Sequence, residues 1–149
     1  MTNNKNDPTL FLFLNEIGII DQLARAKMES TLPDGLRMSQ FIVLNHLVRL
    51  GGLWSPARLA SAFQLTKGAM TNTLQRLEAR GLIEVSADPD DGRGKLVGLT
   101  EAGAEMRERC IDIVAPFLIE LEKTFGRKRI ADAIPLLTEV RQFLDKDRS

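Results

Sequence analysis

Short hydrogen-bonding side chains alternate with basic ones between residues 66 and 76. Thr71, Asn72 and Gln75 fall on the side of a predicted helix that lies opposite its apolar residues. Asn and Gln amides pair well with adenine edges, and a Thr side chain can touch a thymine methyl group. Lysine and arginine nearby suit phosphates, which position a protein without reading sequence. The flanking candidates for DNA contact are Thr66, Lys67, Gly68 and Arg76.

A second candidate contact lies in a segment rich in Gly and Asp. Arg93 stands between Gly92 and Gly94, which have no side chains to obstruct its approach to another surface. An arginine in this setting suits the narrow, electronegative minor groove of DNA. Lys95 follows it closely and is a further candidate for DNA contact.

The same segment carries three acidic residues, Asp88, Asp90 and Asp91. Unpaired carboxylates would repel phosphates, whereas a carboxylate–guanidinium pair can be bidentate and can fix the direction of an arginine. We therefore predict that at least one of the three pairs with a nearby basic group, and that Asp88 and Asp91 support the segment. The alternative is an ordinary acidic turn.

Caps and apolar spacing predict the helices that would position these groups. Ser55-Pro56 is typical of an N-cap followed by proline at the first helical position. Gln64-Leu65-Thr66 predicts a tight turn, after which Thr66 caps a second helix that runs to about Arg80 and stops at Gly81. The residues predicted to brace the two helices are Leu59, Phe63, Leu65, Met70, Leu74 and Leu77.

After Gly81 the apolar period changes from helical to strand-like. The segments from Leu82 to Ala87 and from Leu96 to Thr100 are short and rich in Val, Ile and Leu. Between them, Asp88 to Lys95 has the Gly, Pro and Asp content of a loop, so we predict a hairpin. A short helix, a turn, a second helix and a hairpin together define a winged helix-turn-helix.

Helical spacing also marks the flanking segments. Apolar residues recur three and four positions apart across residues 8–32 and 101–146, with Thr100 predicted to cap the latter segment. The stripe in residues 8–32 covers two sides of the helix, which is typical of a helix that buries one side against another chain. Another helix is predicted from Ser39, as its N-cap, to Leu50, before Gly51-Gly52.

The net charge of the chain does not by itself indicate DNA binding. The chain has 20 basic and 20 acidic residues, and the segment from Ser55 to Lys95 has six basic and five acidic residues, a net charge of 6 − 5 = +1. Any contact with DNA must therefore depend on where the charges lie.

No apolar run approaches the roughly 20 residues that span a bilayer, so we predict a cytoplasmic protein that does not engage membranes. A single cysteine and a single histidine cannot form a Cys/His zinc site, and no metal or other cofactor is predicted.

Several motifs resemble those of a known family. Leu82-Ile83-Glu84-Val85, then Asp88-Pro89-Asp90-Asp91-Gly92-Arg93, then Leu99-Thr100-Glu101-Ala102-Gly103 resemble the wing of the MarR family of bacterial regulators. The segments 74–82 and 39–44 resemble the end of that family's recognition helix and its second helix. The resemblance spans nearly the whole chain. It departs from the family at Gly92, where the family often has the first of two arginines. Arg93 matches the second arginine, which in that family reaches the minor groove.

The resemblance implies a specific architecture and function. It implies a single domain over residues 1–149, mainly α with a small β-hairpin wing. A winged helix-turn-helix lobe (36–100) would lie between N- and C-terminal dimerisation helices (8–32 and 101–146). It further implies a homodimer that binds a pseudo-palindromic operator and, as in many members, represses transcription until a small aromatic or lipophilic compound binds. The candidates for such an effector pocket are Met28, His46, Trp54 and Cys110, each of which also suits plain packing.

Two other classes of function are open at this point. A winged-helix protein–protein adaptor that binds no DNA is motivated by the zero net charge and the three wing aspartates. An adaptor would expose an apolar patch on the outer face of Lys67 to Arg76, where the sequence places none. An enzyme is disfavoured, because Asp90-Asp91 have no base, nucleophile or metal cluster near in sequence and the chain has no Walker-type glycine loop.

Overall fold

The computed structural model describes residues 6–147, and these form six helices and one two-stranded hairpin. The elements are α1 (Thr9–Glu29), α2 (Met38–Leu50), α3 (Pro56–Ala62), α4 (Lys67–Ala79), β1 (Ile83–Asp88), β2 (Asp91–Leu99), α5 (Glu101–Phe125) and α6 (Arg127–Lys146). A 3-10 turn, Pro33–Gly35, separates α1 from α2. The predicted fold class, mainly α with a small β-hairpin, is confirmed.

The described chain divides into two compact units within α5. The first unit ends at Ile113 and contains α1 to α4, the hairpin and the first part of α5. The second unit begins at Val114 and contains the rest of α5 and α6. The domain boundaries inferred from the sequence, one domain over 1–149 with a lobe at 36–100, stay predictions.

The core of the first unit supports α4 from behind. Met70 and Leu77 are fully buried and Leu74 is nearly so, which confirms the inner stripe predicted for this helix. The prediction that Leu65 braces the helices is wrong, because its side chain is 40% exposed. Leu65 lies in the turn between α3 and α4, where its N–H closes the turn on the Ala60 carbonyl (2.9 Å) while its side chain stays outside the core.

Local capping sets the helix starts, and one of them differs from the prediction. As expected, Ser55 Oγ accepts from the Arg58 N–H (3.2 Å) and Thr66 Oγ1 accepts from the Ala69 N–H (3.1 Å). The predicted N-cap Ser39 is wrong, because α2 begins at Met38 and its cap residue is Arg37. Gln40 Oε1 accepts from the Arg37 N–H (3.1 Å), so a side chain inside the first turn satisfies the start of the helix.

The hairpin, hereafter the wing, is longer than predicted and has almost no loop. Its antiparallel register runs from Ile83↔Leu99 to Ala87↔Lys95 and then jumps to Asp88↔Asp91. The predicted loop from Asp88 to Lys95 is therefore wrong, since only residues 89 and 90 lie between the strands. The jump leaves residues 92–94 as a bulge on β2 without partners in β1, and a bulge accommodates the glycines that composition alone assigns to a loop.

The base of the wing is tied to the segment before α3. The Trp54 N–H donates to the Val97 carbonyl (3.0 Å), and the Val97 N–H donates to the Trp54 carbonyl (2.8 Å). The Trp54 indole Nε1–H also donates to the Gly51 carbonyl (2.8 Å). The chain that enters α3 therefore pairs with the free edge of β2 and fixes where the wing begins.

A tight joint connects the end of α4, the wing and the start of α5. Thr100 Oγ1 donates to the Gly81 carbonyl (2.7 Å) and accepts from the Gly103 N–H (3.0 Å). A Cβ atom added at Gly103 would lie 2.0 Å from the Leu82 carbonyl oxygen and 2.8 Å from Leu99 Cδ1. Backbone and side chain approach Gly103 so closely that only a residue without a side chain fits.

Candidate nucleic-acid interface

The outer face of α4 is polar and exposed along its length. Because Met70, Leu74 and Leu77 fill the core, the other side of the helix must face outward. The structure exposes every α4 candidate that the sequence singled out, namely Lys67, Gly68, Thr71, Asn72, Gln75 and Arg76, and also the cap residue Thr66. These groups lie on the exposed side of one helix. The polar residue Thr73 belongs to the core side instead, where it is buried.

The wing presents Arg93 from its bulge. The Arg93 side chain is exposed, and its backbone N–H donates to Asp91 Oδ1 (3.1 Å). In the same way the Asp90 N–H donates to Asp88 Oδ1 (2.9 Å). The backbone of the wing tip is therefore held by its own carboxylates, as in Asx turns. Lys95 is also exposed and lies just below the bulge.

The predicted ion pair between a wing aspartate and a basic group is wrong. Within residues 6–147, none of the carboxylates of Asp88, Asp90 and Asp91 lies within salt-bridge distance of a basic side chain. An aspartate can bond to the backbone two residues further on without a distant partner, and here this local contact forms instead. Asp88 and Asp91 accept hydrogen bonds from the backbone of the wing tip, and the Arg93 guanidinium has no acidic partner within residues 6–147.

A cavity of about 180 Å³ lies between α3, α4 and the wing. Its walls combine core side chains with candidate DNA contacts. The lining residues are Pro56, Thr71, Leu74, Gln75, Glu78, Val85, Lys95 and Val97. A molecule in this cavity would contact Thr71, Gln75 and Lys95, which are three of the candidate DNA contacts.

The four candidate effector-pocket residues lie elsewhere. His46 is buried edge-on against the rings of Trp54 (4.4 Å between centroids) and Phe63 (5.1 Å). Cys110 is fully buried, and burial raises the pKa of its thiol. Met28 is partly buried against the same core. These are the contacts of packed side chains, and a pocket formed by the four stays a prediction.

The surroundings of His46 predict that the stability of the fold depends on pH. Burial lowers the pKa of His46 below its ordinary value of 6.5, and the charges of Arg49 and Arg58 lower it further. Its Nε2 is buried without a hydrogen-bond partner in the described structure, so protonation of the ring gains no hydrogen bond at this atom. The folded state binds this proton less readily than the unfolded chain does. The stability that the neutral ring contributes to the fold is therefore fully present above pH 6.5. It is lost as the pH falls through the folded-state pKa.

Urea unfolding between pH 7.5 and 5.5 checks this prediction. We expect the free energy of unfolding to fall with pH in the wild type and to stay nearly level in His46→Leu, which has nothing to titrate at this position. His46 is the only histidine, and the ordinary pKa values of Asp and Glu lie lower, so this pH window reports on His46. Equal slopes for the two proteins would contradict the prediction.

The order and exposure of these elements define a class of protein. A short capped helix supports a second helix with an outward polar face, and a hairpin with an exposed arginine follows it. This arrangement is a DNA-binding winged helix-turn-helix. Within residues 6–147 no helix is long and apolar enough to cross a membrane, and no group of three or more His, Cys, Asp or Glu could hold a metal ion.

Comparison with known proteins gives the family. The MarR family model matches residues 34–94. The chain is 30% identical over 142 residues to the multiple antibiotic resistance protein MarR of Escherichia coli K12, covering 91% of this chain and 98% of that protein. It is 31% identical over 111 residues to the HTH-type transcriptional repressor NicR of Pseudomonas putida, covering 74% of this chain and 67% of that protein.

A solved structure supports the same family assignment. The crystal structure of a MarR mutant from E. coli complexed with operator DNA matches with a TM-score of 0.70 and 30% identity, covering 88% of this chain and 94% of that chain. This chain therefore belongs to the MarR family of transcriptional regulators. Members of this family are transcriptional regulators and not enzymes, which excludes the enzyme alternative.

Proposed function

We propose that this chain is a homodimeric repressor that binds a pseudo-palindromic operator and releases it when a small aromatic or lipophilic effector binds. The observation that carries the proposal is the exposed polar face of α4 beside the exposed Arg93 of the wing. Thr71, Asn72 and Gln75 would contact base edges in the major groove, and Lys67 would contact phosphate. Arg93 would enter the adjacent minor groove.

Binding to duplexes from the chain's own upstream region tests the DNA-binding part. We expect sequence-preferring mobility shifts whose affinity falls steeply with salt, because each phosphate contact releases counterions. The E. coli relative bound to operator DNA supports this expectation. An affinity for these duplexes that is independent of salt and of sequence would instead favour the winged-helix adaptor without DNA binding.

Two helices have the apolar surface that a homodimer needs. On α1 the exposed residues include Leu10, Phe11, Ile20 and Leu23, and on α6 they include Ile134, Phe143 and Leu144. Monomeric soluble proteins rarely expose apolar surfaces as large as these to solvent. A second copy of the chain would cover them, and the resulting two-fold symmetry would place two α4 helices about one turn of DNA, roughly 34 Å, apart.

Leu23→Glu tests the dimer. Leu23 is 68% exposed on α1, so a carboxylate there is harmless to a monomer but is buried unpaired in a dimer. We expect a weakening of self-association of at least about a hundredfold, measured by sedimentation, together with loss of binding to full operators. Leu50→Glu is the matched control, since Leu50 is 55% exposed at the end of α2. A variant at residue 23 that dimerises as Leu50→Glu does would contradict the proposed interface.

The effector part of the proposal has two candidate sites. The cavity beside Thr71 and Gln75 is comparable in volume to cavities that hold one aromatic ring, and its occupant would obstruct DNA directly. The alternative is the set Met28, His46, Trp54 and Cys110. A thermal-shift screen of aromatic acids, followed by mobility shifts, tests for an effector at either site. We expect compounds that raise the unfolding temperature to lower DNA affinity as well, and a stabilising compound that leaves DNA bound would contradict the proposed mechanism.

A further inference from the structure

Two neighbouring side chains on the outer face of α4 are hydrogen-bonded to each other. Asn72 and Arg76 lie four residues apart, so they are neighbours on the same helix face, and both are exposed. The Arg76 Nε–H donates to Asn72 Oδ1 across 3.4 Å. A guanidinium has no acceptor, so this contact can only use the oxygen of the amide.

The contact changes what Asn72 can read. An asparagine recognises adenine with both ends of its amide, because Oδ1 accepts from N6 and Nδ2 donates to N7. Here one lone pair of Oδ1 accepts from the Arg76 cation, and that cation repels the N6 amino donor of adenine from the other lone pair. The pair then presents mainly donors, namely the Asn72 amide N–H groups and the terminal N–H groups of Arg76. In the major groove guanine offers two acceptors, O6 and N7.

Gln75 provides an internal comparison. It is exposed on the same helix, and within residues 6–147 no side-chain hydrogen bond holds its amide. Gln75 therefore keeps both an acceptor and donors, the combination that suits adenine. Arg76 is also without an acidic partner in the described chain, so its charge is not neutralised by the protein.

We propose that Asn72 and Arg76 act as one specificity-determining unit that selects guanine, and that this replaces the adenine preference expected of Asn72 alone. The proposal rests on the DNA-binding function proposed above and names the base that the same face of α4 selects. It also changes the role of Arg76, which the sequence assigned to phosphate contact. Asn72 orients the guanidinium, and the terminal nitrogen atoms of Arg76 contact O6 and N7.

Selection from a randomised duplex library tests the proposal with wild type, Asn72→Ala, Arg76→Ala and Gln75→Ala. The base pair read by the unit is the one whose selectivity changes in both Asn72→Ala and Arg76→Ala. At this pair we expect wild type to prefer guanine over adenine by about tenfold. Asn72→Ala keeps a weaker guanine preference, because the arginine alone can bond O6 and N7. Arg76→Ala frees Oδ1 and moves the preference toward adenine. Gln75→Ala changes the selectivity at a different base pair.

The outcomes separate this proposal from the function on which it rests. If wild type enriches a motif but selects adenine at this pair, or if Arg76→Ala leaves guanine preferred, the paired unit is refuted while DNA binding stands. If wild type enriches no sequence, both proposals fail together. All three positions are exposed, so the variants are expected to unfold at the wild-type temperature, and a thermal melt confirms this before selection.

Discussion

Replacing Gly103 with alanine is expected to lower the free energy of unfolding by about 3 kcal/mol or more. The added Cβ would lie 2.0 Å from the Leu82 carbonyl oxygen, far inside contact distance. This oxygen cannot retreat easily, because it accepts from the Thr100 N–H (3.3 Å) while the Leu82 N–H donates to the Leu77 carbonyl (3.0 Å). The clash must therefore displace the α4–wing–α5 joint itself. In a chain of this length the loss corresponds to a fall of roughly 10 °C in unfolding temperature.

Gly68→Ala is the matched control for this measurement. A Cβ at Gly68 would have no atom within 4 Å, and the residue lies in the first turn of α4. We expect chemical denaturation to find this variant within about 1 kcal/mol of wild type. If Gly103→Ala is equally tolerated, the close approach of Leu82 is not a feature of the folded protein. Gly68→Ala also tests whether the α4 backbone approaches DNA closely, since it would then weaken binding without loss of stability.

Arg93→Ala is expected to reduce operator affinity by at least about a hundredfold while leaving the proposed dimer intact. A hydrogen bond to a charged group contributes about 1.5–3 kcal/mol, and a dimer loses two such contacts. The Arg93 side chain is exposed and has no ion-pair partner within residues 6–147, so its removal leaves no buried group unsatisfied. The slope of log affinity against log salt should fall by about 2, one for each protomer.

Two further variants separate charge from shape at the wing. Arg93→Lys keeps the charge and should keep the salt slope, but it loses the planar guanidinium and part of the affinity. Gly92→Arg adds a charge where a Cβ meets no atom within 4 Å, and it should tighten binding and steepen the slope. Wild-type affinity in Arg93→Ala, measured by titration of an AT-rich operator, would refute the minor-groove contact.

Local signals in the sequence predicted most of the helical framework. Ser55, Thr66 and Thr100 each cap the next helix through their own side chain, so the information lies within three residues of the boundary. The start of α2 differs from the prediction because Gln40, and not a serine at the boundary, satisfies the first turn. The exposed face of α4 followed from its apolar stripe, since the two faces of one helix are complementary.

Features that depend on contacts distant in sequence were not predictable. Nothing in the local pattern shows that the Leu82 carbonyl approaches Gly103, or that His46 lies between two aromatic rings. The wing differs from the predicted hairpin for a related reason. Its Gly and Asp content is typical of a loop, whereas cross-strand pairing extends both strands and confines the irregularity to a bulge. The aspartates bond to the adjacent backbone, which composition cannot distinguish from an ion pair.

The double hydrogen bond between Trp54 and Val97 affects the entropy of association. The base of the wing is already paired in the absence of DNA, so the proposed docking on DNA would restrict mainly the backbone of residues 92–94, which lack partners in β1. Fixing one residue costs about 1–2 kcal/mol in conformational entropy. A wing with an open loop from Asp88 to Lys95 would lose this entropy over more residues. If Arg93 enters the minor groove as proposed, the short bulge would leave more of its interaction energy as net affinity, and the glycines beside Arg93 would let it adapt to grooves of different width.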